Sequence, residues 1–301
     1  MSALRILVSL ITQNNDYQME QSTSAQGMAQ RLGVQVEVVF ADGDAINQST
    51  QVLKAIQAEP ELRPNAIVIE PAGGTGLPQV ARAAVSSGIS WVLLNREADY
   101  MRELRVSSKV PVFGVTHDQV EVGRIQGRQC AAFLPCGGSI LYIQGPSETS
   151  VARERLLGFQ EVIPRNIHLT TLKGQWTEES GIRAVSSWLA LTTSRKAKLD
   201  VVVAQNDSMA IGARKAFQEK LTEVESEAWL NIPYLGIDGV PKTGQAWVRS
   251  GLLAATVVTP ASAGPGIQAL VTALRGGSQP PERCITDCTS LPPLESLHPR
   301  K

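Results

Sequence analysis

Short apolar runs alternate with longer stretches of helical spacing along the chain, and this alternation limits the fold more than any other feature. In the first part of the chain it predicts strands at 4–11, 35–40, 66–69 and 91–94 and helices at 17–32, 46–58 and 77–87. Strands separated by helices of this length form βαβ units, whose right-handed crossovers build a parallel sheet covered on both faces. The sequence therefore predicts an α/β fold with a doubly wound, Rossmann-like sheet.

A second run of the same kind begins at about residue 110, after a less regular stretch at 97–109. It predicts helices at 118–134, 149–163, 178–191, 209–220, 242–250 and 261–274, separated by apolar runs, with a final extended piece at 283–291. A chain of 301 residues is long enough for two domains of ordinary size. We therefore expect two similar lobes, and clefts between domains are common small-molecule sites.

Composition narrows the classes of partner. Lysine plus arginine and aspartate plus glutamate number 28 each, and no basic run occurs, so nucleic acid and anionic membranes are poor candidates. No apolar stretch approaches the roughly eighteen residues of a membrane span. The cysteines and histidines lack metal-ligand or redox spacing; they are Cys130, Cys136, Cys284, Cys288, His117, His168 and His298. We expect no metal and no cofactor.

The stretch at 200–213 joins a β-branched strand to a helix of small residues. Polar Gln205, Asn206 and Asp207 stand at the junction, with Asp207 or Ser208 predicted as the helix N-cap. In open α/β sheets, ligands bind at the carboxyl ends of strands, where helix N-termini also point. Asn206 is accordingly predicted as a ligand contact and Asp207 as the cap, although caps are the common use of both residue types.

Polar and aromatic residues follow many of the other predicted strands as well. They are Asn15, Tyr17, Asn95, Arg96, Arg155, Trp176, Asn206 and Asp238. Amides, carboxylates and guanidinium groups match adjacent hydroxyls, and an aromatic face packs on the apolar side of a ring. Any one of these residues alone is explained by helix capping, but their shared position favours a sugar or polyol site. The glycine-rich segment at 73–76 is predicted as a tight strand-to-helix turn, because it lacks the spacing and lysine of a phosphate loop.

Six short motifs in this order resemble the type I periplasmic sugar-binding proteins of the ribose-binding group, the substrate-binding proteins of ABC transporters. They are Gln13-Asn-Asn-Asp-Tyr17, Leu94-Asn-Arg96, Ala152-Arg-Glu-Arg-Leu-Leu-Gly-Phe159, Ala204-Gln-Asn-Asp-Ser-Met-Ala210, Gly236-Ile-Asp-Gly239 and Gly251-Leu-Leu-Ala-Ala-Thr256. The resemblance spans almost the whole chain. It implies two doubly wound lobes joined by a three-segment hinge, with residues 1–115 plus 259–280 in the N-terminal lobe and 116–258 plus 281–301 in the C-terminal lobe.

The resemblance also implies a ligand in the cleft between the lobes. It assigns ligand contacts to Asn15, Tyr17, Asn95, Arg96, Arg155, Trp176, Asn206, Asp238 and Thr259. Three positions depart from the ribose-binding pattern: Gln18 replaces an aromatic residue, Asn95 an aspartate and Thr259 a glutamine. An amide is a weaker acceptor than a carboxylate, and a lost ring removes apolar contact. These departures argue against ribose itself and leave another pentose or hexose, an alditol or another polar small molecule.

The sequence thus predicts a non-enzymatic protein that closes on a sugar or polyol and presents it to a membrane permease or sensor. We expect a monomer that neither inserts into a membrane nor binds nucleic acid. One alternative is the effector-binding domain of a LacI-like regulator, which requires a helix-turn-helix module before the first strand. The other is an enzyme on the same fold, although no nucleophile motif or carboxylate pair supports it. The resemblance implies a periplasmic location, whereas the chain as given shows no export signal, which leaves the cytoplasm open.

Overall fold

The computed structural model describes residues 4–74, 77–194 and 197–299. The chain forms two compact units, Met1–His117 with Ala261–Thr286 and Asp118–Pro260 with Asp287–Lys301. It therefore passes from one unit to the other after His117, Pro260 and Thr286. Each unit has a mostly parallel sheet with helices on both faces, which confirms the predicted α/β class and doubly wound architecture.

The elements follow one another in βα order, as the sequence pattern predicts. The first are β1 (Arg5–Leu10), α1 (Asp16–Leu32), β2 (Gln35–Phe40), α2 (Ala45–Ile56), β3 (Ala66–Ile69), α3 (Pro78–Ser86), β4 (Ser90–Leu94), α4 (Tyr100–Ser107) and β5 (Val112–His117). The next are α5 (Gln119–Phe133), β6 (Gly138–Gln144), α6 (Ser150–Val162), β7 (Ile167–Lys173), α7 (Glu178–Leu189), β8 (Val201–Ala204), α8 (Asp207–Lys220), α9 (Glu223–Leu230), β9 (Tyr234–Asp238), α10 (Gly244–Arg249) and β10 (Ala255–Val258). The last are α11 (Ala263–Gly276), β11 (Arg283–Thr286) and β12 (Thr289–Leu291).

The first unit is built on a sheet that has six strands within the described residues, in the order β2-β1-β3-β4-β5-β11. All of its strand pairs are parallel. Ile6, Val8 and Leu10 face one apolar cluster, which α1 and α11 cover, whereas Leu7 and Ile67 face a second cluster under α2, α3 and α4. Burial on both faces explains why these strands are continuous apolar runs.

The second unit repeats this plan in the order β7-β6-β8-β9-β10-β12. Its pairs are parallel except for β12, which runs antiparallel to β10. Helices α5 and α6 approach closely because both carry glycine at their contact. A Cβ on Gly158 would overlap the carbonyl oxygen of Val120, and one on Gly123 would overlap that of Arg155. This contact packs α6, the helix that carries Arg155, directly against α5.

Three local expectations were wrong. Residues 97–109 are not irregular, because Tyr100, Met101 and Leu104 form the buried face of α4. Helix α9 was not predicted, although Thr222 and Glu225 form a capping box at its start. The extended piece at 283–291 contains two strands that belong to different sheets, β11 beside β5 and β12 beside β10.

The position of β11 also moves the unit boundary that was expected after residue 280. Because β11 pairs with β5 along Arg283–Thr286, residues 283–286 belong to the first unit, and the last crossing follows Thr286. The other two crossings lie two residues beyond the expected positions of 115/116 and 258/259, after His117 and Pro260. In the predicted turn at 73–76, Thr75 and Gly76 lie outside the described residues.

Candidate functional site

The strand order reverses beside β1 in the first sheet and beside β6 in the second. In open α/β sheets, ligands bind at the carboxyl ends of strands next to such a reversal. In each unit, buried polar side chains gather at these strand ends. These two sets of side chains are the first-unit cluster and the second-unit cluster.

The first-unit cluster groups polar side chains of α1, the ends of β3 and β4 and the start of α11, with a hydrogen-bonded network at its centre. Its members are Tyr17, Gln21, Glu70, Asn95, Arg96 and Ser262, all buried. Asn95 Nδ2 donates to Tyr17 Oη and to Glu70 Oε2, both at 3.1 Å. Gln21 Nε2 donates to Ser262 Oγ at 2.9 Å and to Glu70 Oε2 at 3.3 Å, and Ser262 Oγ donates to Asn95 Oδ1 at 3.1 Å.

Glu70 is the charged centre of this cluster and was missed by the sequence reasoning. It directly follows β3 and is only 5% exposed. Burial raises the pKa of its carboxyl group, and Arg96 opposes this by favouring the ionised form, as do hydrogen bonds from Gln18, Asn95 and Gln21. Its place after an apolar run and before Pro71 was the available sequence signal.

Tyr17 extends the network to the strand that precedes the first crossing. Its hydroxyl lies 3.4 Å from His117 Nε2. The other ring nitrogen of His117 lies 2.8 Å from Thr286 Oγ1 and 3.1 Å from the carbonyl oxygen of Thr286. His117 therefore ties β5 to β11 at the residues where the chain leaves the first unit.

The second-unit cluster consists of Gln119, Arg155, Trp176, Asn206 and Asp238. Arg155 is its centre. Its Nε donates to Gln119 Oε1 at 2.9 Å, and its Nη1 donates to the carbonyl oxygen of Gln205 at 2.6 Å. The guanidinium carbon lies 5.7 Å from the centre of the Trp176 ring, and Nη1 lies 3.9 Å from Asp238 Oδ1. This arrangement fixes a buried cation beside an aromatic face and a carboxylate.

Two polar partners of Arg155 were not predicted as site residues. Gln119, in the first turn of α5, uses its side-chain oxygen for Arg155, while its buried Nε2 has no hydrogen-bond partner among the described residues. Gln205 is held by Tyr142 Oη, the carbonyl oxygen of Ala152 and the amide of Gly145. Its backbone carbonyl is thereby fixed at the point where Arg155 donates.

Trp176 follows β7 in a left-handed conformation, with φ of 64°. Asn206 Nδ2 donates to its carbonyl oxygen at 2.8 Å. The indole lies over Gly145 at the end of β6, where any Cβ would overlap the ring. Glycine at position 145 therefore makes room for this aromatic face.

The predicted helix cap of α8 was wrong. Asn206, not Asp207 or Ser208, is the N-cap, because Asn206 Oδ1 accepts from the amide of Met209 at 2.9 Å. Asp207 instead accepts from the amide of Gly239 and from Thr256 Oγ1, both at 2.7 Å. Its carboxylate thus braces the turn directly after Asp238.

The remaining predicted residues lie at the same strand ends. Asn15 caps α1 by accepting from the amide of Gln18 at 3.1 Å, and Arg96 follows Asn95. Thr259 follows β10, and its amide donates to the carbonyl oxygen of Asp238 at 3.0 Å. Its buried Oγ1 has no hydrogen-bond partner within the described part of the chain. The structure therefore connects Tyr17 to Asn95 in one unit, and in the other connects Arg155, Trp176, Asn206, Asp238 and Thr259.

Backbone geometry marks three of the predicted residues independently of their side chains. Asn95, Trp176 and Asp238 have φ of 52°, 64° and 109°. Positive φ is costly for residues with a Cβ, especially a bulky one, and such residues concentrate at binding sites. Of residues 4–74, 77–194 and 197–299, the other non-glycine residues with positive φ are Asp42 and Leu77.

Neither a metal centre nor a membrane-spanning helix is found among the described residues. Among them, no group of three or more His, Cys, Asp or Glu side chains is placed to hold a metal ion. None of the helices in this part of the chain combines the length and apolar character needed to cross a membrane.

This chain is similar to known proteins over nearly its full length. The sequence profile of the family described as "Periplasmic binding protein domain" matches residues 6–277. The galactofuranose-binding protein YtfQ of Escherichia coli K12 is 26% identical over 95% of this chain and 87% of its own. The ribose import binding protein RbsB of the same strain is 27% identical over 84% and 78%. The crystal structure of a galactofuranose binding protein superposes with a TM-score of 0.81 and 25% identity over 98% of each chain.

Proposed function

Because the chain belongs to the periplasmic binding protein domain family, we propose that it is a solute-binding protein for an uncharged sugar or polyol. The relatives named above bind ribose or galactofuranose and support the sugar class. The three departures from the ribose-binding pattern, at Gln18, Asn95 and Thr259, favour a ligand other than ribose.

The observation that carries this proposal is the strained backbone of Asn95, Trp176 and Asp238 at the strand ends. Each strained residue costs on the order of 1–3 kcal/mol and persists only where the surrounding structure holds it. Packing of a sheet does not require such a conformation at these positions. A function that needs an indole face and a carboxylate in fixed directions, with the Asn95 amide holding its neighbours in place, explains it.

The chemistry of the two clusters fits hydroxyl groups on a ring or an open chain. Guanidinium groups donate to hydroxyl oxygens, carboxylates accept from hydroxyl hydrogens and amides do both. The indole of Trp176 offers an apolar face for C–H bonds. Each cluster also pairs carboxylate and guanidinium charge, Glu70 with Arg96 and Asp238 with Arg155, which favours an uncharged ligand.

The proposed mechanism uses both clusters on one ligand, as the resemblance implies. A ligand that hydrogen-bonds to both units at once gives the closed state a higher affinity than the open state and shifts the equilibrium between them. The closed form is then presented to an ABC permease or a sensor. We further propose that the protein acts as a monomer outside the cytoplasmic membrane, and fractionation of cells expressing the native locus tests its location.

We propose that the protein is not an enzyme, and the relatives named above are binding proteins. Cys288, in the second unit, is a poor nucleophile because burial raises the pKa of its thiol to about 11, with nearby Glu121 and Asp118 acting in the same direction. The thiolate required for attack is therefore scarce at neutral pH.

The test is thermal unfolding of the wild-type protein with D-ribose, D-galactose, xylitol and myo-inositol, followed by mass analysis of each recovered compound. At roughly 100 times Kd, a bound ligand raises the free energy of unfolding by about 2.7 kcal/mol. Stabilisation by at least one compound that is recovered unchanged supports the proposal. No stabilisation, or chemical conversion of a stabilising compound, contradicts it.

Alanine at Arg155, Asn206 or Asp238 is expected to weaken binding of the stabilising compound by about 1–3 kcal/mol each, the usual loss for a buried polar contact. Alanine at Asp99 is the matched control, because Asp99 is exposed and makes no capping hydrogen bond. An unchanged affinity in all three site variants rejects the assignment of the second-unit cluster.

A further inference from the structure

We propose that Glu70 contacts the ligand and determines its specificity, whereas Asn95 is a positioning residue that orients Glu70 and Tyr17. This inference rests on the proposed function, since it assigns the anionic acceptor for ligand hydroxyls within the first-unit cluster.

The hydrogen bonds of Asn95 leave it little capacity for a ligand. An asparagine amide carries two N–H donors, and here they point to Tyr17 Oη and Glu70 Oε2. Its carbonyl oxygen accepts from Ser262 Oγ. Both donors are therefore used within the protein, and a ligand is left with at most one lone pair of the side-chain oxygen.

Glu70, unlike Asn95, keeps hydrogen-bonding capacity for a ligand. A carboxylate offers about four acceptor positions. Asn95 and Gln21 both donate to Oε2, and the side-chain amide of Gln18 also lies close enough to favour the ionised form. The two hydrogen bonds to Oε2 leave acceptor capacity on the carboxylate for a ligand. They also fix the plane of the carboxylate.

The position of Glu70 suits this role. Glu70 follows β3, and Asn95 follows the adjacent strand β4. Strand β3 also lies next to β1, where the strand order reverses. Arg96 supplies the compensating positive charge. A buried carboxylate that already accepts protein hydrogen bonds and still has acceptor capacity is suited to a ligand hydroxyl, because hydrogen bonds to charged acceptors are roughly twice as strong as those to neutral ones.

The test compares calorimetric titrations of the wild type, Glu70→Gln and Glu37→Gln with D-ribose, D-galactose, xylitol and myo-inositol. Glu37 is an exposed acidic residue of the same unit and serves as the charge control. The Glu70→Gln variant keeps the shape and removes the charge, so we expect ~10- to ~100-fold weaker binding of the tightest compound. The Glu37→Gln variant should bind as the wild type does.

Monodeoxy derivatives of the tightest compound separate contact from structural support. If Glu70 accepts from one hydroxyl, the derivative that lacks this hydroxyl binds the wild type weakly and loses little further affinity in Glu70→Gln. Equal losses for every derivative would show that Glu70 acts only on the structure and would overturn the proposal. The proposal would also be overturned if the wild type binds a compound and Glu70→Gln binds it with the same affinity.

Glu70→Asp provides a second variant if Glu70→Gln does not fold. It keeps the charge but shortens the side chain by one methylene group. Of the monodeoxy derivatives, the one that lacks the contacted hydroxyl should again lose the least affinity between the wild type and the variant. The same pattern of derivatives decides for or against the contact. Failure of all four compounds to bind the wild type would instead contradict the proposed function, which keeps the two failures distinct.

Discussion

Removal of the Asp207 carboxylate tests how the second-unit cluster is held in place. Asp207 is 3% exposed, and its carboxylate accepts two hydrogen bonds of 2.7 Å, from the amide of Gly239 and from Thr256 Oγ1. In Asp207→Ala both donors lose their acceptor, and each buried unsatisfied group costs about 1–3 kcal/mol. We therefore expect the free energy of unfolding to fall by roughly 2–6 kcal/mol. A residue that only capped α8 would cost about 1 kcal/mol.

The assay is urea unfolding followed by tryptophan fluorescence, because Trp176, Trp188, Trp229 and Trp247 all lie in the second unit. In Asp207→Ala the urea concentration at the unfolding midpoint should fall, while the slope of the unfolding free energy against urea concentration stays constant. Asp99→Ala, at an exposed aspartate before α4, is the control and should behave as the wild type.

Thr256→Val sharpens the same test. In Asp207→Ala the hydroxyl of Thr256 is left without an acceptor, and valine removes this hydroxyl. The double variant Asp207→Ala/Thr256→Val should therefore be more stable than the sum of the two single losses predicts. The bracing role of Asp207 would be refuted if the losses of unfolding free energy in the two single variants simply add. It would also be refuted if Asp207→Ala loses no more than the roughly 1 kcal/mol of a helix cap.

Three further predictions concern single positions. Gly145→Ala should displace the indole of Trp176 and weaken sugar binding in calorimetry, whereas Gly27→Ala, where a Cβ meets no atom within 4 Å, should leave binding unchanged. Asn206→Ala should lower the free energy of unfolding by about 1 kcal/mol through loss of the α8 cap, as urea unfolding can show; an unchanged midpoint would contradict the cap. Because the folded-state pKa of Glu70 is raised above 4.5, its stabilising contribution is present below that pH and is lost as the pH rises through the raised value. Glu70→Gln should therefore gain stability relative to the wild type as the pH rises above 4.5, and a pH-independent difference would contradict this.

Much of the fold was predictable because both faces of each sheet are covered. Continuous apolar strands such as Ala66–Ile69 and Ser90–Leu94 stand out from the amphipathic helices between them. Helix α4 was missed although its apolar residues lie at helical spacing, and α9 was missed although the capping box of Thr222 and Glu225 was visible in the sequence. The separation of β11 from β12 was not visible, because pairing with different sheets depends on contacts distant in the chain.

The candidate site was predictable only in part. Strand-end position led to the prediction of Asn95, Trp176 and Asp238 as site residues, and each has a positive φ that the sequence alone did not reveal. Glu70 was missed because a single carboxylate after a strand resembles a solvated loop residue. Its burial follows from the packing of α1 and the neighbouring strand ends, and the bond of Gln21 to Ser262 spans 241 residues. The cap was assigned to Asp207 instead of Asn206 because both residue types cap helices equally well, and the bond of Asp207 to Thr256, 49 residues away, depends on contacts distant in the chain.

The most direct test of the central claim is calorimetric titration of the wild type, Asn95→Ala and Asp238→Asn with the compound that stabilises the wild type most. If one sugar or polyol binds to the clusters of both units, as proposed, the titration gives one ligand per chain and weaker binding in both variants, by about 1–3 kcal/mol each. Two ligands per chain, or an unchanged affinity in either variant, would contradict the claim.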